Sequence, residues 1–383
     1  MSHILKDCPE FGVDTMGVFI DMSKAFDGIK HETLFKKLER YGIRGVALRW
    51  IKSYLNGRSI KVLFRTTMSK NYPIEYGAPQ GSVLGPLIYS ILANDMHRCL
   101  KFSTCVMFAD DTTILMTGKN LTFLYRKMNS DLSRLSQWFK NNSLSLNIDK
   151  SNYILFKTKN KVSNCNETIH MDGRQIKKVD STKFLGVHID EHLNWSVHVK
   201  HLLTKLSSGL YSLNMAKNTL PIYSKKLLYF SHIQSHLIYG LSAWGPMISA
   251  CDLKKLKVMQ NKALRAIFNL NKRTRLVTYY KKGNIPMLES LIELSLLKIS
   301  FRYVNNILPL RIVNLFEIPD HNYLTRNRNR LQTLHHTIQI YHKCFLARAP
   351  HLWLNLPEHI KDKNKIKSFV RNFFRYKFSE LDS

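Results

Sequence analysis

Acidic residues are scarce in this chain. Asp and Glu number 27 against 58 Lys and Arg over 383 residues, a formal net charge of +31. An excess of that size needs an anionic partner: nucleic acid first, an anionic membrane surface second. A solvated surface normally mixes both signs, so an ordinary basic protein is the weaker reading. Cysteine is also thin. Cys8, Cys99, Cys105, Cys165, Cys251 and Cys344 are scattered without a close pair. That excludes a disulfide framework and a cysteine-rich zinc site, and it fits a reducing compartment. The opening MSHILKDCPEF has no apolar core, so no secretory signal is expected. No uncharged apolar run reaches about 18 residues, so neither a transmembrane helix nor a membrane partner is expected. Internal repeats and long low-complexity linkers are missing too. The expectation is an intracellular protein that is not secreted. What is abundant is hydrophobic residues, 44% of the chain. That allows a sizeable core, and the length suggests two or three domains.

Along the chain, Gly17 to Asp21 (GVFID) reads as a buried strand entering an acidic turn. Leu34, Leu38 and Tyr41 recur at helical spacing, and a second helix follows Gly45. Arg58 to Tyr76 reads as a hairpin, and APQGSVLGP as a turn-rich loop opening a helix. CVMFADDTTILM is two apolar half-strands around two acids, a β-hairpin with carboxylates at its tip. Leu121 to Lys140 is a long amphipathic helix, and SNYILFK and TKFLGVHID are strand-like. From about Asn194 the chain turns helical. Between Ser196 and Leu288 there is one acid, Asp252, against fifteen Lys or Arg. In LKKLKVMQNKALRAIF, Leu253, Leu256, Met259, Ala263 and Ile267 share one helical face, while Lys254, Lys257, Asn261 and Arg265 share another. A cationic outer face suits phosphate contact, and a solvated lysine face explains this one helix equally well.

Three features carry chemistry together: FIDMSKAFD with Asp21 at a strand end, APQGSVLGP before a helix, and FADD on a hairpin tip. Adjacent carboxylates repel, and burying them uncompensated is costly. A tip bearing Asp110 and Asp111 therefore asks for a cation. Hard oxygen donors without clustered His or Cys point to Mg²⁺ rather than zinc. Two such ions about 4 Å apart can clamp the attacking and leaving oxygens of an in-line phosphoryl transfer. Taken singly, a DD is usually a turn, and a strand-end Asp is usually a cap. The pairs His198/His201 and His232/His236 have helix-face spacing but no partners at zinc spacing, so they read as packing or nucleic-acid-facing residues.

With those motifs in order, the chain resembles the reverse transcriptase of a non-LTR (LINE-type, Jockey/CR1-like) retrotransposon. The resemblance rests on GVFIDMSKAFDGIKHETLFKKLERYGIRG, GAPQGSVLGPLIYSILANDM and FADDTTIL. LSLNIDKS, FLGVHID, SHLIYGLSAWG and APHLWLNLP add to it. It implies an RNA-directed DNA polymerase that takes an RNA template, a DNA primer or target and dNTPs, with two Mg²⁺ ions (or Mn²⁺ in their place). Asp21 matches the first metal-binding aspartate, with the Met22 carbonyl as an added ligand. Asp110 matches the ligand of both metals, and Asp111 a lesser, electrostatic partner. Phe26 matches the steric gate that excludes a 2′-OH by clash; a core Phe is the plainer reading. Gln80 and Gly81 match the loop under nucleotide and template. Lys150 matches a lysine near the triphosphate, a candidate general acid, with a surface lysine as the alternative. Phe184, Leu185 and Gly186 match the primer grip. Asp27 is typical of the family, and capping of the next helix explains it as well. By resemblance the nucleus is the compartment.

The implied fold is α+β: a right-hand palm with an antiparallel sheet backed by helices over 1–193, a helical basic thumb over 194–300, and a helical C-terminal region over 301–383. Two departures set the alternatives. Only twenty residues precede Asp21, too few for fingers, and no endonuclease is present, so the sequence looks truncated at its N-terminus. Exposed apolar surface and marginal stability are expected of such a palm. The second reading is a catalytically inactive relic that only binds nucleic acid. A third, a group II intron maturase, fits SHLIYGLSAWG and APHLWLNLP less well.

Overall fold

The computed structural model describes residues 13–157, 166–313, 345–361 and 365–380. The sequence reading of the C-terminal region falls partly on 314–344, outside the described residues. The chain divides into two compact units, with the division between Leu185 and Gly186.

The N-terminal unit is built on one five-stranded sheet. Its strands are β1 (Asp14–Ser23), β2 (Thr104–Phe108), β3 (Asp111–Gly118), β4 (Ser145–Phe156) and β5 (Lys177–Lys178), in the order β5-β4-β1-β3-β2. β1 lies at the centre, antiparallel to β3 and β4, while β5 pairs parallel to β4. The central position explains the near-continuous burial of DTMGVFIDMS, since both faces of the strand are covered. Met16, Val18 and Ile20 are at most 3% exposed and join the main core. Each such side chain contributes about 1.5–3 kcal/mol by leaving water.

Four helices surround this sheet: α1 (His31–Arg40), α2 (Gly45–Leu55), α3 (Gly85–Ala93) and α4 (Leu121–Asn141). On α4, Leu124, Tyr125, Met128, Leu132, Leu135 and Phe139 are buried at helical spacing, and they back the sheet. Buried Asp131 accepts from the backbone N–H groups of Lys101, Phe102 and Ser103 and pairs with Arg134, which pins the start of β2 to α4. Buried Lys37 on α1 meets Asp95 at 2.7 Å and lies over the Trp138 ring. The expected hairpin over Arg58 to Tyr76 is two short ladders, Ser59–Ile60 with Tyr72–Pro73 and Leu63–Phe64 with Thr67–Met68. They carry exposed Ile60, Val62, Leu63, Phe64, Met68 and Tyr72.

Gly186 onward forms a helical unit after a short strand, Val187–Asp190. Its main helices are α5 (Ser196–Met215), α6 (Ile222–Tyr229), α7 (Ala250–Phe268), α8 (Leu288–Val304), α9 (Phe345–Leu354) and α10 (Ile366–Ser379). A π turn, Phe230–Gln234, extends α6. The apolar face expected on α7 is present: Leu256, Ala263 and Ile267 are buried, and Leu253 and Met259 are half-buried. Buried Gln260 was not foreseen; it donates to Tyr229 Oη and to the Pro286 carbonyl. The other face is less purely cationic than its sequence suggested. Lys257 pairs with Glu289, Lys255 with Asp252, and Asn261 accepts from Tyr280 Oη. Among the described residues no helix is long and apolar enough to cross a membrane.

Candidate active site

The β2–β3 register ends with Phe108 opposite Asp111, which leaves Ala109 and Asp110 as a two-residue turn. Ala109 has φ +50°, a left-handed conformation that favours glycine. The turn therefore holds local strain at the tip of the hairpin. On β1 the ladder ends with Ile20 opposite Thr112, and the residues next along each strand, Asp21 and Asp111, line one pocket. Like charges brought that close repel. The Asp111 carboxyl is accordingly pushed above the usual carboxylate range, first by burial, then by the charges of Asp110 and Asp21.

β4 supplies the third strand of the site. Phe19 pairs with Asn152 but Asp21 with Asn147, so two steps along β1 span five along β4. The three extra residues make a bulge, a device that re-aims side chains. Ser151 stabilises it: its hydroxyl donates to the Asn147 carbonyl at 2.8 Å and accepts the Asp21 N–H at 3.1 Å. Lys150 rides on this bulge. A pocket of about 100 Å³ results, in which Asp21, Asp111 and Lys150 meet Asn152, Lys183 and Phe184. Phe184 packs its ring on Phe19 at 5.6 Å.

Behind Asp21, Met22 is buried and its Sδ accepts from Tyr89 Oη at 3.2 Å. The half-buried ring of Phe26 lies 5.1 Å from that of Tyr89, tilted. The Tyr89 hydroxyl is pushed well above its ordinary range by burial, then by Asp110. The loop carrying Gln80 and Gly81 is anchored to the same turn. Gly77 and Ala78 donate their N–H groups to the carbonyls of Ile29 and Phe26. At Gly77, with φ +85°, a Cβ would stand 3.1 Å from the backbone of Asp27, so only glycine allows this approach. Gln80 Nε2 donates to Asp27 Oδ1 at 2.8 Å. Asp27 is thus a loop anchor and not a cap, because the N-cap of α1 is Lys30. Gly81 is exposed, with φ +77°.

Of the residues singled out in the sequence, the structure gathers Asp21, Asp111, Lys150 and Phe184 around one pocket. Asp110 stands exposed beside them on the turn, and Met22 and Phe26 lie behind it through Tyr89. Leu185 and Gly186 do not line the pocket; they take consecutive left-handed conformations, φ +45° and +80°. Asn152, Thr182, Lys183 and Ser151 were missed. Ser151 stood next to Lys150 in LSLNIDKS, and Lys183 next to Phe184. Among the described residues no three His, Cys, Asp or Glu side chains are already drawn together as metal ligands. The donor set is nonetheless all carboxylate oxygen with mutual repulsion, which fits a hard divalent cation. Asp21 and Asp110 have the chemistry to hold it.

Residues 7–189 match the family described as reverse transcriptase (RNA-dependent DNA polymerase). That segment is similar to the family, and the relatives that match the chain are RNA-directed DNA polymerases of mobile elements. The chain is 27% identical over 292 residues to the probable RNA-directed DNA polymerase from transposon BS of Drosophila melanogaster, covering 72% of this chain and 31% of that protein. It is 29% identical over 262 residues to the RNA-directed DNA polymerase from mobile element jockey of the same species, covering 66% and 28%. The chain therefore spans about a third of the length of these relatives. Among solved structures, a telomerase from Candida albicans aligns with a TM-score of 0.37 at 13% identity, over 73% of this chain and 48% of that one.

Proposed function

We propose that the chain performs RNA-templated DNA synthesis, in which a primer 3′-OH attacks the α-phosphate of a dNTP and pyrophosphate leaves. The observation that carries this reading is that Asp21 and Asp111, on adjacent strands, line one pocket with Lys150, with Asp110 at the turn beside them. Two Mg²⁺ ions, or Mn²⁺ in their place, would supply charge neutralisation and activation of the attacking hydroxyl when held by Asp21 and Asp110. Asp111 keeps the local field negative and favours cation capture. Lys150 would protonate the departing pyrophosphate. Phe26 crowds the sugar, Gln80 and Gly81 support template and nucleotide, and Phe184, Leu185 and Gly186 hold the primer end. The partners are an RNA template, a DNA primer or target, and dNTPs, and the nucleus is the compartment where such a target lies. Positioning and charge stabilisation account for most of the rate.

The test is primer extension by the purified chain on an RNA template with Mg²⁺. Incorporation is expected, and Asp110→Asn should lower it by at least about 100-fold. Unchanged activity in that variant would remove the site assignment. Tight, salt-sensitive binding without any incorporation would instead establish a chain that only binds nucleic acid.

A further inference from the structure

Within the C-terminal unit, α8, α10 and the π turn before Ser235 border a pocket of about 380 Å³. Leu241, Leu294 and Phe374 give it apolar walls, and Lys298, Arg302 and Gln234 are its strongly polar members. None of its described lining residues is acidic. Lys298 and Arg302 are one turn apart on α8 and repel each other. The Lys298 ammonium is held below its ordinary range by burial, then by Arg302. The two glutamates of α8 do not relieve this: Glu289 pairs with Lys257, and Glu293 meets Lys377 at 2.9 Å. Gln234 adds a second unmet demand. Its Oε1 is shielded from solvent with no hydrogen-bond partner among the described residues, although it is an acceptor that normally finds a donor. It ends a π turn, a rare element that recurs at functional sites.

A half-buried ammonium beside a solvated guanidinium favours an anion, the orphan acceptor calls for an N–H, and the walls call for a flat apolar body. The volume falls in the range of small-ligand sites and is too small for a duplex. We propose that this pocket binds a single nucleotide, free or as an unpaired unit of a strand. The phosphate rests on Lys298 and Arg302, the base lies against Leu294 and Phe374, and an exocyclic amino group of the base donates to Gln234 Oε1. Adenine and cytosine have that amino group; uracil and thymine lack it. An acidic peptide would satisfy the cations but offers no flat apolar ring to the walls. The proposal does not depend on polymerase activity.

The full chain, without template, primer or divalent ions, is titrated with AMP, CMP, UMP and inorganic phosphate by calorimetry. AMP and CMP should bind, with UMP about 3- to 10-fold weaker and phosphate weaker than all three. Lys298→Ala should weaken AMP about tenfold or more. Arg302→Gln, at an exposed position, gives the same direction if the first variant fails to fold. Gln234→Leu should bring AMP and UMP to equal affinity. A single-stranded oligonucleotide ending in adenosine is compared with one ending in an abasic residue. A loss with the abasic end makes a strand terminus the source, and equal binding makes it the free nucleotide. Phosphate binding as tightly as AMP, no nucleotide binding, or AMP affinity unmoved by all three variants would each overturn the proposal. Because no divalent ion or primer is present, its failure is separate from any failure of the polymerase reading.

Discussion

Phe26 packs against Tyr89, and selection of the sugar is its proposed second role. Its ring rests on Tyr89 and is half-buried, so part of it is committed to the core and part faces outward. Shortening it removes the packing and would remove the proposed clash. Phe26→Val should raise ribonucleotide incorporation relative to deoxynucleotide by about tenfold, the worth of a steric clash of roughly 1–3 kcal/mol. Competing rNTP and dNTP in single-turnover extension measures it; an unchanged ratio would leave Phe26 as a core ring only. The sequence alone left those two roles undecided because an aromatic five residues after a strand-end Asp fits either, and the contact with Tyr89 establishes only the packing. Asp27 is a second case. Its position before a helix suggested a cap, but the bond from Gln80 reveals that it ties two distant segments, 53 residues apart.

Among the elements, the short strand Val187–Asp190 and helix α5 bring three histidines together. The rings of His188 and His201 are 4.6 Å apart, and His198 is 2% exposed against Trp244. Burial, then the charges of His188 and His201, lower the His198 pKa from 6.5 to about 4. Between those values the unfolded chain binds a proton that the folded chain refuses. Stability present above pH 6.5 is therefore lost as pH falls toward 4, by about 3 kcal/mol in full. Urea unfolding midpoints at pH 7.5, 5.5 and 4.5 should fall in that order, and His198→Asn should flatten the fall relative to the parent. Elements with strong periodicity were legible beforehand: α4, the hairpin with its acidic tip, and the apolar face of α7. The bulge in β4 was not. It has no composition signature, because what defines it is a register shift against β1, a contact more than 120 residues away in the chain. The pocket residues Asn152 and Lys183 were missed for that reason, since the bulge and a distant strand bring them in.

For the molecule as a whole, the charge of +31 is the dominant long-range fact. Binding to an RNA–DNA heteroduplex should weaken linearly in log salt, by a slope of about 0.9 per phosphate neutralised. Not every lysine contributes. Lys254→Ala should reduce the slope by about one, whereas Lys257→Ala should change it less, because Glu289 already neutralises that ammonium. Equal slopes for the two variants would mean that the outer face of α7 does not meet phosphate. The α+β class and the helical character of the second half were readable from patterning, because both depend on local period. The position at which the chain divides, Leu185–Gly186, was not, because compactness is a sum over distant contacts.

The raised pKa of Asp111 has an evolutionary reading. Its neighbours disfavour its charge, so replacing any of the three aspartates by an isosteric amide relieves repulsion and leaves the sheet intact. The raised pKa of the Asp111 carboxyl shows that folding stability alone does not favour its charge. Asp21, Asp110 and Asp111 are all present in this chain. Under the proposed function, the three carboxylates would be kept for the cation they hold and not for folding stability.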